Sequence, residues 1–152
     1  MTLFADSSAL VKLYVPEPGH EAVTEFTGPM IVSELARVEV PSGLWRKQRL
    51  GELAAADTAL LIDAFEEDYY GGPTSSPRFG VIRVSDERLR RAAVAVARHG
   101  LRAFDALQLA CALTAREAGL IGGLRFATFD RHLRSAALVE GFTLVPEIAH
   151  LV

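Results

Sequence analysis

The sequence predicts an α/β fold, a three-layer α/β/α sandwich around a central, mostly parallel, five-stranded sheet. Short apolar runs alternate with longer helical patterns, and parallel strands need crossover connections of that kind. Half of the residues are apolar and 23% are charged, a composition that supports a packed core and argues against disorder. The length of 152 residues fits one core, and neither half holds a complete set of strands and helices, so residues 1–152 read as a single domain.

Thr2 to Ala5 reads as the first strand, with Asp6-Ser7-Ser8 capping a helix through Ala9-Leu10-Val11-Lys12-Leu13-Tyr14. Pro16, Pro18 and Gly19 end that helix. A short helix over His20 to Phe26 and a strand at Met30-Ile31-Val32 follow. Ser33 is placed to cap a long helix reaching about Arg49, and Glu52 to about Tyr69 forms its antiparallel partner across Leu50-Gly51. The segment Gly71-Gly72-Pro73-Thr74-Ser75-Ser76-Pro77 is an exposed loop. Val81 to Val84 is the third strand, and Ser85 opens a helix over Asp86 to about Arg98. The remainder reads as a helix from about Phe104 to Ala118, a strand at Arg125 to Phe129, a short helix over Asp130 to Ala137, and a last strand at Phe142 to Val145.

No apolar stretch approaches the roughly 20 residues of a membrane helix, and the first residues carry no signal-peptide pattern, so a cytoplasmic protein is expected. The lone Cys111 lies in an apolar helical pattern and reads as a small buried residue. The net charge of −3 opposes a polyanionic partner overall. Arginine nevertheless outnumbers lysine 14 to 2, with clusters at Arg46-Lys47-Arg49, Arg88-Arg90-Arg91 and Arg131-Arg134 that suit either phosphate contact or solvated helix faces.

Ligand sites in parallel sheets lie beyond the carboxyl ends of the strands. Asp6 and Asp130 each directly follow a strand, so both fall on that edge, where either could simply cap a helix. Asp86, in the same kind of position, serves as the comparison and reads as a cap alone. Asp105 lies four residues before Leu109 on an apolar stripe, and Glu39 lies one turn beyond Leu35 at the margin of another. Isolated burial of either charge costs several kcal/mol, so each needs a cation, supplied by an ion pair or by a metal. Oxygen donors without a cysteine set or a spaced histidine pair favour Mg²⁺ or Mn²⁺ over zinc.

Four segments occur in the order and approximate spacing of PIN domains: Asp6-Ser7-Ser8-Ala9-Leu10-Val11-Lys12, Ser33-Glu34-Leu35-Ala36-Arg37-Val38-Glu39, Phe104-Asp105-Ala106-Leu107-Gln108-Leu109-Ala110 and Thr128-Phe129-Asp130. The resemblance spans nearly the whole chain and is nearest to the VapC-like toxins of toxin-antitoxin modules, which are endoribonucleases. It implies a metal-dependent endoribonuclease with Asp6, Glu39, Asp105 and Asp130 at the acidic metal positions and Thr128 at the supporting hydroxyl position, with Ser8 and Ser33 as further helpers. Asp6 and Asp105 are then expected to ligate the principal Mg²⁺, with Glu39 and Asp130 holding a second ion or orienting water. The implied partners are an RNA substrate, a cognate antitoxin, and a second copy in a homodimer or a toxin-antitoxin hetero-oligomer. Leu44, Trp45, Leu50, Leu60, Leu61 and Phe65 are the candidate antitoxin surface, unless they are core. The loop from Gly71 to Gly80 is longer than the family pattern requires.

Three rivals remain to be weighed. A phospho-accepting receiver domain lacks its adjacent acid pair here, and a serine hydrolase lacks a G-x-S-x-G elbow. His20, His99, His132 and His150 have no motif context and read as surface residues. The non-enzymatic alternative is a PIN-like module that binds RNA or a partner without cutting.

Overall fold

A computed structural model describes residues 1–120 and 122–147 of the chain. Five strands, β1 (Thr2–Ala5), β2 (Met30–Ser33), β3 (Phe79–Ile82), β4 (Leu124–Ala127) and β5 (Thr143–Val145), form one sheet in the order β3-β2-β1-β4-β5. Every pairing is parallel. The helices between them are α1 (Ser7–Tyr14), α2 (Glu21–Thr24), α3 (Ala36–Arg49), α4 (Ala55–Tyr70), α5 (Asp86–His99), α6 (Ala103–Glu117) and α7 (Arg131–Val139). The predicted class holds.

The alternation of side chains along each strand divides the core in two. Leu3, Ala5, Met30, Val32, Ala127 and Val145 face one side, where they pack with Leu10, Val40, Leu44 and Phe65 of α1, α3 and α4. Phe4, Phe126 and Leu144 face the other, with Leu109 of α6 and Leu133 of α7. Both faces of the sheet are therefore dry, as crossover helices require. On the second face the rings of Phe4 and Phe126 meet edge to face at 5.2 Å, the favoured geometry for their quadrupoles.

Boundaries move where pairing partners decide them. β3 starts two residues earlier than expected, because its register sets Phe79 beside Met30 and Ile82 beside Ser33. Val84, expected inside the strand, has left the sheet and donates its N–H to the Glu34 carboxylate. Thr128 and Phe129, expected within the fourth strand, lie past its end. Ser33 belongs to β2; its hydroxyl accepts from Leu35 N at 3.0 Å, and α3 begins only at Ala36 without a side-chain cap. Asp86 is not a cap either, since Ser85 accepts from Arg88 N and Asp86 pairs with Arg90 in the first turn of α5.

The loop after α4 folds back onto that helix. Gly71 adopts φ +83°, where a Cβ would sit 2.8 Å from Ser75 O, and Arg78 N donates to Asp68 O at 2.7 Å. The loop ends at Phe79, the start of β3, which pairs with Met30 at the amino edge of the sheet.

One expectation about a single residue changes. His99 is enclosed, with Nε2 2.7 Å from Glu140 Oε1, so it tethers α5 to the end of α7. His150 lies outside the described residues. Of the candidate docking residues, Leu44 and Phe65 are core and Leu61 packs against it, leaving Trp45, Leu50 and Leu60 exposed. Cys111 is buried as expected, and burial pushes its thiol up to about 11. No described helix is long and apolar enough to cross a membrane.

Candidate active site

The register of the two central strands builds the first half of the site. Ala5 of β1 pairs with Ala127 of β4, so the residues that follow, Asp6 and Thr128, leave the sheet side by side. Thr128 is fully buried and its hydroxyl donates to Asp6 Oδ2 at 2.6 Å. Asp6 Oδ1 accepts from Ser8 Oγ at 2.7 Å and from Ala9 N at 2.9 Å. Asp6 therefore caps α1 and also belongs to the site; the two roles use the same oxygen-rich side chain. Ser8 extends the frame by accepting from Phe129 N at 2.9 Å, and Thr128 Oγ1 accepts from Asp130 N at 3.2 Å. Asp130 in turn caps α7, with Oδ1 accepting from Leu133 N at 2.8 Å.

Glu39 of α3 is held from two other helices. Its Oε1 accepts from Ser7 Oγ at 3.1 Å and from Gln108 Nε2 at 2.8 Å, and Gln108 also reaches Ser7 at 3.2 Å. Gln108 is 2% exposed and sits almost one turn beyond Asp105 on α6, so α1, α3 and α6 are locked together by this small polar knot. Its Oε1 is buried without a partner, a cost accepted to aim both amide hydrogens at Ser7 and Glu39.

The four acids lie in a row that repels itself. Burial pushes Asp6, only 4% exposed, up to about 6; its three hydrogen bonds oppose that shift, and the Glu39 charge adds to it. Burial likewise raises Glu39, against hydrogen bonds from Gln108 and Ser7 and with help from the Asp105 charge. Asp105 is raised by burial and by Asp130, while Arg102 and His132 pull the other way. None of the four forms an ion pair within 4 Å among the described residues.

Hydrogen bonding leaves room for a further ligand at each acid. Glu39 Oε2, Asp130 Oδ2 and both oxygens of Asp105 accept no hydrogen bond among the described residues, and Asp6 Oδ2 accepts only one. No group of three or more His, Cys, Asp or Glu side chains among the described residues is placed to hold a metal ion, so the expected four-ligand cage is not preassembled. The donor set still fits a hard divalent ion, because Mg²⁺ is commonly bound by one or two carboxylates with water completing its shell.

Several contributors escaped the sequence reading. Ser7 read only as part of a cap, and Gln108 only as part of a motif; their partner Glu39 is 32 and 69 residues away. Arg134, grouped with Arg131 as a surface cluster, is 7% exposed and donates to Thr128 O at 2.8 Å and Pro146 O at 2.7 Å, bracing the segment that carries Thr128. Ser33 does not join the acids. The other basic clusters are spent in part on local pairs, Lys47 with Glu17 and Glu52, and Arg91 with Glu117, while Arg46 and Arg49 form none among the described residues.

The sequence profile of the PIN domain matches residues 3–139, a span that contains all four acids and Thr128. The chain belongs to the PIN-domain family. It is 30% identical over 146 residues to ribonuclease VapC46 of Mycobacterium tuberculosis, covering 94% of this chain and 95% of that one. Two solved structures share the PIN-type fold. A toxin-antitoxin complex from Klebsiella pneumoniae superimposes with a TM-score of 0.53 at 18% identity, over 86% of this chain and 87% of its own. PAE2754 from Pyrobaculum aerophilum gives 0.59 at 20% identity, over 90% and 79%.

Proposed function

We propose that this PIN domain is a metal-dependent endoribonuclease, a single catalytic domain acting as the toxin of a toxin-antitoxin pair in the cytoplasm. The observation that carries the proposal is the row of carboxylates without ion-pair partners among the described residues at the carboxyl edge of the parallel sheet, with Asp6 the most buried of them. The similarity to a VapC ribonuclease supports the same reading.

Asp6 and Asp105 would hold the principal Mg²⁺ or Mn²⁺, with Glu39 and Asp130 at a second ion or at the attacking water. A bound ion offsets the negative field, lowers the pKa of water and stabilises charge on the phosphate. The chain's own contribution is orientation. Thr128, Ser8 and Ala9 N fix both oxygens of Asp6, so its carboxylate need not reorganise when the substrate arrives. Ser7 and Gln108 occupy Oε1 of Glu39 and direct Oε2 away from that knot. The partners are an RNA substrate and a cognate antitoxin, the latter supported by the toxin-antitoxin complex that shares the fold. A homodimer or a hetero-oligomer with the antitoxin completes the proposal.

Cleavage of RNA should require Mg²⁺ or Mn²⁺, stop on chelation, and fall at least about a hundredfold in Asp6→Asn and in Asp105→Asn. Equal, metal-independent cleavage by the wild type and both variants would remove the basis for this mechanism. RNA binding without any turnover would favour the non-catalytic module.

A further inference from the structure

Two clefts meet at Asp130 and differ in how their charges are used. The larger, about 500 Å³, runs between α1 and α3; its lysines are committed, Lys12 to Glu17 at 2.9 Å and Lys47 to Glu17 and Glu52, and its one unpaired cation among the described residues, Arg46, has no exposed aromatic ring next to an acid of the row beside it. The other, about 410 Å³, is lined by Arg102, Ala103, Phe104, Asp105 and Asp130. There the Arg102 side chain forms no hydrogen bond or ion pair among the described residues and acts on Asp105 only through space. Phe104 is 54% exposed and directly precedes Asp105 in the chain.

A single exposed phenylalanine is ordinary. Here an apolar ring, an uncommitted guanidinium and two acids of the site line one cleft. A nucleotide of single-stranded RNA presents the matching chemistry: an unstacked base needs a flat apolar platform, and its phosphate needs a cation with several donors. A protein segment would find less use for a bare cation adjoining carboxylates that themselves await a metal.

We propose that the Arg102–Phe104 cleft is a nucleotide subsite of the nuclease, in which the Phe104 ring stacks on a base next to the scissile phosphate and Arg102 binds a flanking phosphate. The subsite rests on the nuclease reading above and extends it to the substrate class: single-stranded RNA, gripped on the α6 side of the acids. Exposure of both side chains means that neither supports the core, so replacing them leaves the fold in place.

The test is steady-state cleavage of a short single-stranded RNA in Mg²⁺, with binding followed by fluorescence anisotropy in Ca²⁺. Phe104→Ala should weaken binding roughly tenfold, with the larger part of the kinetic loss in KM. Phe104→Trp should restore it, while Phe104→Leu, equally apolar but without a ring face, should not. Arg102→Ala should reduce the salt dependence of binding by about one phosphate contact. An abasic nucleotide walked along the RNA should erase the difference between wild type and Phe104→Ala at one position. Wild-type cleavage with unchanged Phe104→Ala, or rescue by leucine as good as by tryptophan, overturns the subsite and leaves the nuclease standing. A wild type that neither binds nor cuts RNA overturns both.

Discussion

Between α1 and α3, Glu17 accepts from Lys12 at 2.9 Å and from Lys47 at 2.5 Å, while beyond the strand ends Asp6, Glu39 and Asp105 have no such partner among the described residues. Burial pushes Glu17 upward, yet the two lysines outweigh it and hold the carboxyl below its ordinary value. Burial pushes Lys47 downward, and Glu17 with Glu52 more than reverses that. In the acid row hydrogen bonds and distant charges offset the same desolvation only in part. One region uses its charges to hold the fold together; the other carries a charge imbalance that opposes folding. Such imbalance is a mark of sites shaped by chemistry.

The largest effect expected from this contrast is on stability without metal. Asp6 is raised in the folded state, so its contribution is fully present below pH 3.8 and is lost as the pH rises through about 6. At pH 7 it opposes folding by roughly 3 kcal/mol relative to acid conditions. In urea titrations of chelated protein, Asp6→Asn should therefore be more stable than wild type at pH 7, with the gap closing toward pH 4. A gap independent of pH would break the comparison.

Next in size is the effect of the ion. Free Mg²⁺ at about a hundred times its Kd should stabilise the wild type by about 2.7 kcal/mol, read as a rise in Tm that chelation reverses. The Asp6→Asn, Asp105→Asn double variant should show no such rise. If both proteins respond equally, the ion binds elsewhere.

The smallest effect belongs to the paired region and carries the opposite sign. Glu17 is lowered, so its contribution is present above pH 4.5 and fades as the pH falls through its folded-state value. Glu17→Gln should lose on the order of 1 kcal/mol at neutral pH, a figure kept small by solvent screening, and nothing in strong acid. Thermal melts at neutral and acid pH would show it.

Much of this arrangement was legible beforehand. Asp6 and Asp130 follow strands of a parallel sheet, and a parallel sheet gathers its strand ends on one edge. Asp105 and Glu39 stood out as acids at the margin of apolar stripes. Arg134 was misread because a count of arginines carries no information about burial, and β3 was misplaced because its limits depend on pairing with β2. Ser7 and Gln108 gave no signal of their own; a serine in a cap and a glutamine on a buried helix face become site residues only when a third helix brings Glu39 to them.

The sequence by itself determined the class of fold and the order of its elements and singled out the candidate acids, since periodicity and residue chemistry are local properties of the chain. Tertiary structure alone decided which oxygens of those acids are occupied, which cations are already committed and which cleft sets a free one beside an exposed aromatic ring. Those outcomes depend on hydrogen-bond reach and desolvation between segments up to 122 residues apart, as in the bond from Thr128 to Asp6, and no local pattern encodes them.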